Sequence, residues 1–273
     1  MTKMRKSLSL SIALSVLPLV TMTAMPHAFA QTQVACDGPA NLNRLDQPLR
    51  RTAERLKAGQ PITIVALGSS STSGAGASSS AASYPSRLEA DLKQRFPAAT
   101  LRVLNRGVGG EEVQDMLARL DQTVLVEKPD LVLWQVGSNT VLRGHSVITA
   151  FAHIAQGLSS IKASGADVVL IDPQFAPKVI VKADAEDMVD LITAAAKAEN
   201  VGLFHRFAVM RHWNKVQKIP FETFLSPDGL HMNDWSYACV AKLLGATIAE
   251  AATRATAVAG AVPTATAKAA PAR

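Results

Sequence analysis

Apolar residues along this 273-residue chain fall into two alternating patterns. Short runs rich in Val, Ile and Leu occupy 62–67, 101–104, 131–136, 168–171 and 201–204, and their continuous apolar character is that of strands buried on both faces. Between them, 84–96, 111–126, 147–163 and 183–198 carry apolar residues at helical spacing. A further helix is expected over 49–57, ahead of the first strand. A last one is expected from near Asn233, with Trp235, Cys239, Leu243, Leu244 and Ile248 on its buried side. Strands that alternate with crossover helices predict a parallel sheet covered on both faces, hence an open three-layer α/β domain with five strands. A closed eight-stranded barrel would need strand–helix pairs that the pattern does not contain.

The two ends follow other rules. Residues 1–30 read as a signal peptide: Lys3, Arg5 and Lys6 form a basic head, 8–20 an apolar body, and Ala28-Phe29-Ala30 a small-residue cleavage site. The competing reading is an uncleaved anchor, against which Pro18 and Pro26 interrupt a stretch already shorter than the ~20 residues of a span. Residues 31–60 form an arm and its helix, 61–254 the sheet domain, and 255–273 a tail rich in Ala, Thr and Pro that predicts disorder. Cleavage after Ala30 implies an exported protein, periplasmic or secreted, with no stable membrane insertion.

Export also changes the charge. The formal net charge of +6 falls to +3 when Lys3, Arg5 and Lys6 leave, because no acidic residue leaves with them. With 5% aromatic residues and no dense basic stripe, nucleic acid is excluded as the expected partner. Cys36 and Cys239 are an even pair in an oxidising compartment, which predicts one disulfide; two buried free thiols are the alternative. Two cysteines this far apart define no metal site.

In an open parallel sheet, ligands bind beyond the carboxyl ends of the strands. The loops there carry Gly68-Ser69-Ser70-Ser71-Thr72, Asn105-Arg106-Gly107-Val108-Gly109-Gly110, Gly137-Ser138-Asn139-Thr140 and, after the fifth strand, Ser226-Pro227-Asp228-Gly229-Leu230-His231. Acyl transfer needs these parts: a hydroxyl, an imidazole to take its proton, an acceptor to fix the imidazole tautomer, and preorganised donors for an oxyanion. Ser70, His231 and Asp228 fill the first three roles, and Ser70 N–H, Gly110 N–H and the Asn139 side chain the last. No metal or organic cofactor is called for. Neither Gly-rich stretch ends in Gly-Lys-Ser/Thr or fits G-x-G-x-x-G, so nucleotide binding is not expected.

These four blocks, in this order, resemble those of the SGNH hydrolases of the GDSL esterase/lipase superfamily. The resemblance covers roughly 61–250 and implies a flavodoxin-like sheet of five parallel strands in an α/β/α sandwich. It also implies Ser70 as nucleophile with Asp228 and His231, and Ser70, Gly110 and Asn139 as oxyanion donors. Two departures stand out: Ser69 and Thr140 occupy positions where the superfamily usually has Asp, which implies altered loop hydrogen bonding. Ser69 and Ser71 are the rival nucleophiles in a run of three serines.

The expected function is an exported serine esterase acting through an acyl-enzyme on short acyl groups carried by a small molecule or a polysaccharide. The rivals are an envelope polysaccharide O-acyltransferase, a lysophospholipase-like lipid esterase and a non-catalytic envelope-binding module. His145 is read as a solvated loop residue. Asp172-Pro173 and the segment 205–224, with Arg211, His212 and Trp213, are expected to frame the cleft.

Overall fold

The first strand's neighbours set the architecture. In a computed structural model that describes residues 35–39, 42 and 44–260, with side chains to Arg254, β1 (Ile62–Gly68) pairs in parallel with β2 (Leu101–Gly107) on one side and β3 (Leu131–Gln135) on the other. Two further parallel strands, β4 (Asp167–Ile171) and β5 (Gly202–Phe204), complete the order β2-β1-β3-β4-β5. The expected signal peptide over residues 1–30 and residues 261–273 lie outside the described residues.

Right-handed crossovers then dictate the layers. The step from β1 to β2 runs opposite to the later steps, so α3 (Tyr84–Arg95) covers one face. The crossovers carrying α4 (Val113–Ala118), α7 (Val147–Ala163) and α9 (Ala185–Glu199) cover the other. Packing agrees: α12 (Asp234–Gly260) lies against α3 and α1 (Arg50–Lys57), while α7 lies against α9 and α4. β1 and β3 are buried nearly throughout, whereas the edge strand β2 is largely half-exposed and carries Arg102 and Arg106, both paired with Glu127. Charged side chains on an edge discourage pairing with another chain.

Local chemistry sets the helix ends. Ser146 Oγ accepts from Thr149 N–H at the start of α7, and α9 stops at Asn200 in the left-handed conformation. Asp167, at the start of β4, accepts from the Arg51 and Thr52 N–H groups and the Thr52 hydroxyl, seating α1 under the sheet. Cys36 and Cys239 form a disulfide, Cα atoms 5.4 Å apart. Beside it, Trp213 Nε1 donates to the Asp37 carbonyl at 2.9 Å.

Several expectations are corrected. The helix expected over 111–126 is broken into α4, α5 (Leu120–Thr123) and a 3-10 turn, because Glu112 caps α4 and Arg119 turns back onto Glu111 and the Arg106 carbonyl. The terminal helix continues to Gly260, past the 255 boundary of the expected tail. The segment 205–224 is α10 (Arg206–Lys215) followed by α11 (Phe221–Phe224), and Trp213 is core rather than cleft wall. Asp172 is likewise fully buried.

Candidate functional site

Beyond the tips of β1, β2 and β3 the loops interlock. Ser69 precedes α2 (Ser70–Ser73), so Ser70 takes the first position of that turn and its N–H has no acceptor within the helix. Ser69 points inward, its N–H and hydroxyl both donating to Gln135 Oε1 at 2.9 and 3.0 Å. Ser71 is buried with its hydroxyl unpartnered. Of the three serines, Ser70 is the one that meets an imidazole: its Oγ lies 2.9 Å from His231 Nε2.

The other ring nitrogen, Nδ1, is 2.5 Å from Asp228 Oδ2. Asp228 is fixed in turn by the Ser226 hydroxyl at 2.7 Å and by the N–H groups of Leu230 and His231 at 2.9 Å, all on Oδ1. Partial burial raises the Asp228 carboxyl, but these donors outweigh it and hold the group well below the usual carboxylate range. It is a permanent anion at working pH, fit to hold the ring and to balance charge on it. The carboxylate, imidazole and hydroxyl thus form one line of hydrogen bonds, from residues 161 positions apart at the serine–histidine step.

Asn105, Arg106 and Gly107, expected in the second loop, instead extend β2 to Gly107, in register with β1 to Gly68; this end of β2, the loop after it and the third loop are bound to the first and to each other. Asn105 Nδ2 donates to the Thr72 carbonyl and its Oδ1 accepts from Gly107 N–H, both at 2.9 Å. Gly107 approaches α2 so closely that a Cβ there would stand 2.2 Å from Ser73 N. Gly110 has φ +82°, in the left-handed region, and its carbonyl accepts from Arg143 Nη2 at 2.7 Å. Asn139, in α6 (Ser138–Arg143), donates from Nδ2 to the Glu111 carbonyl at 2.8 Å, which draws it to the residue after Gly110. Thr140 donates to Glu112, whose carboxylate also holds Arg143 and His145.

Two cavities flank the loops. One of about 440 Å³ is walled by Glu112, Thr140, His145, Thr149 and His153, the other of about 470 Å³ by Pro177, Phe221, Leu225, Ser226 and Gly229. His145 is exposed and leans on Glu112 at the mouth of the first. Sequence reasoning missed Gln135, Gln174 and Arg206, polar residues buried beneath the loops, because nothing in the residues beside them signals burial or a distant partner.

The parallel sheet order, with a serine after β1, an Asn-x-Gly at the end of β2, an asparagine after β3 and an Asp-x-x-His loop before the last helix, defines the class: the SGNH hydrolase superfamily. The family model described as the non-GDSL lipase-like family matches residues 35–254, and the chain belongs to that family. It is similar to an arylesterase of Vibrio mimicus, 35% identical over 95 residues that cover 35% of this chain and 46% of that protein. It is also similar to an acetylxylan esterase of Geobacillus stearothermophilus, 36% identical over 56 residues that cover 20% of this chain and 26% of that protein. The matches therefore span less than half the length of these relatives. Among solved structures, a two-domain esterase active on acetylated mannans shares the fold with a TM-score of 0.66, at 22% identity over 77% of this chain and 56% of that one.

Proposed function

We propose that the protein is an exported carboxylic ester hydrolase that works through an acyl-enzyme on Ser70. The observation that carries this reading is the line of hydrogen bonds from Asp228 through His231 to Ser70. Ser70 Oγ attacks the ester carbonyl as its proton passes to His231 Nε2. The resulting oxyanion is received by the N–H groups of Ser70 and Gly110 and by Asn139 Nδ2. His231 returns the proton to the departing alcohol oxygen, leaving an acyl ester on Ser70. Water then attacks that ester, giving a proton to His231, and the carboxylic acid departs as Ser70 recovers its hydrogen. Asp228 stays ionised throughout and holds Nδ1–H.

The substrate we infer is a short acyl group, acetyl in particular, on a polar or carbohydrate carrier. The similarity to an acetylxylan esterase supports this. Export is supported by the basic and apolar opening of the chain and by the Cys36–Cys239 disulfide, a bond that persists in oxidising compartments. The test is labelling with an organophosphonate ester followed by peptide mapping, alongside p-nitrophenyl esters from acetyl to palmitoyl and acetylated xylan. Modification of Ser70 and a preference for acetyl are expected; folded protein that takes no label at Ser70 would overturn the reading.

A further inference from the structure

The floor beneath Ser70 and His231 is polar where the core of a parallel sheet is ordinarily apolar. Gln135, at the end of β3, holds Ser69 through Oε1 and donates from Nε2 to Ser138 Oγ at 3.4 Å. Ser138 passes its own hydrogen to Gln174 Oε1 at 2.9 Å, and the same oxygen receives Arg206 Nη2 at 3.1 Å. Gln174 Nε2 reaches the Leu230 carbonyl at 3.4 Å. Arg206 is braced by donating from Nε to the Asp172 carbonyl at 2.9 Å. Every one of these polar side chains, from Ser69 to Arg206, is at most 3% exposed.

Such a network is a poor way to stabilise a core. Burying a guanidinium is costly, and so is leaving a buried polar atom unpaired. Here Arg206 Nη1 and Asp172 Oδ2 are both buried with no hydrogen-bond partner, the latter only 4.0 Å from His205 Nδ1. Its value lies in where its ends arrive. Ser69 is the neighbour of Ser70, Ser138 the neighbour of Asn139, and Leu230 the neighbour of His231; Gln174 touches Ser138 and Leu230 directly and is linked to Ser69 through Ser138 and Gln135.

We propose that Gln174, held by Arg206, is a positioning residue that sets the spacing of Ser70, Asn139 and His231, an inference that rests on the ester hydrolase reading above. The test titrates active sites with the organophosphonate and measures turnover per titrated site. Gln174→Met removes both the acceptor and the donor at nearly constant volume. It should keep a full titre and a KM within about twofold while kcat falls about 10- to 100-fold, the scale expected when catalytic groups are misplaced by up to 1 Å. Gln174→Glu keeps an oxygen for Ser138 and Arg206 and should recover kcat to within about fivefold of the wild type. Ser138→Ala cuts one link without disturbing Arg206, should lower kcat with KM unchanged, and keeps the test decisive should Gln174→Met fail to fold. Variants that turn over at the wild-type rate per titrated site, or whose loss is wholly a loss of titre, overturn the proposal. A wild type that takes no label at Ser70 removes the hydrolase reading itself, whereas labelled wild type with full-rate variants removes only the role of Gln174.

Discussion

Three hydroxyls in succession follow the first strand, and each has a different fate. Ser69 is committed to Gln135, Ser71 is enclosed in the core, and Ser70 faces His231. The sequence names the triplet and the Asp-x-x-His spacing, but the choice among three identical side chains depends on how α2 leaves β1, which no residue type reveals. Asn139 is a clear instance of a role that must be measured. It is anchored to the Glu111 carbonyl through Nδ2, which has a second hydrogen to offer an oxyanion. Asn139→Ala should therefore cost about 10²–10³ in kcat, read from p-nitrophenyl acetate turnover; a change under threefold would take it out of the oxyanion site. Gln135, Gln174 and Arg206 were illegible for a different reason. A buried polar side chain carries no sign in the sequence of what it touches, and partners such as Asp172 for Arg206, Ser138 for Gln174 and Ser69 for Gln135 lie 34, 36 and 66 positions away.

The long elements were legible because packing imposes a period on them. The expected helix over 147–163 is α7 to the residue, with Ala150, Ile154, Gly157, Leu158 and Ile161 buried at three- and four-residue steps. Short elements have no room for a period, so α2, α6, α8 (Pro177–Ile180) and α11 could not be read. α10 was missed although it is longer: Arg206 occupies an inward position of the stripe completed by Val209, Met210 and Trp213, and an arginine there erases the pattern. Between elements, the close contact of β2 with α2 is the most exacting. Gly107→Ala would set a methyl group 2.2 Å from Ser73 N and 2.6 Å from the Thr72 carbonyl carbon, so backbone must move. Overpacking of this kind costs about 1–3 kcal/mol. Thermal unfolding should begin about 2–10 °C lower, and ester turnover should fall more than tenfold because the displaced turn carries Ser70.

Two properties belong to the molecule as a whole. The disulfide closes a loop of 203 residues between the arm and α12. On the chain-entropy account this is worth about 5 kcal/mol, so reduction, or paired Cys36→Ser and Cys239→Ser replacement, should lower Tm by about 10–20 °C in a thermal melt. Stability should also depend on Asp172. Burial pushes its carboxyl up to about 7, against the opposing pull of the Phe207 N–H and the Arg206 guanidinium. A carboxyl raised in the folded state binds its proton more tightly there than in the unfolded chain, so its contribution is full below about pH 4 and is lost as pH rises toward about 7. Asp172→Asn should accordingly gain on the wild type across that interval, seen as diverging urea midpoints, and parallel midpoints would contradict the assignment. The fold class was legible at this scale from alternation alone, whereas the order of the strands, which brings the loops after β1, β2 and β3 together, is a property of three dimensions.

The arm's fastening has a consequence for assembly. Synthesis runs from one end, so Cys36 is made some two hundred residues before the thiol it must meet, and Leu45, whose carbonyl takes a hydrogen bond from Arg254, waits longer still. The clasp can close only once Cys239 has been made, which places oxidation after synthesis of all five strands and leaves any product that stops short of α12 with its leading edge untied.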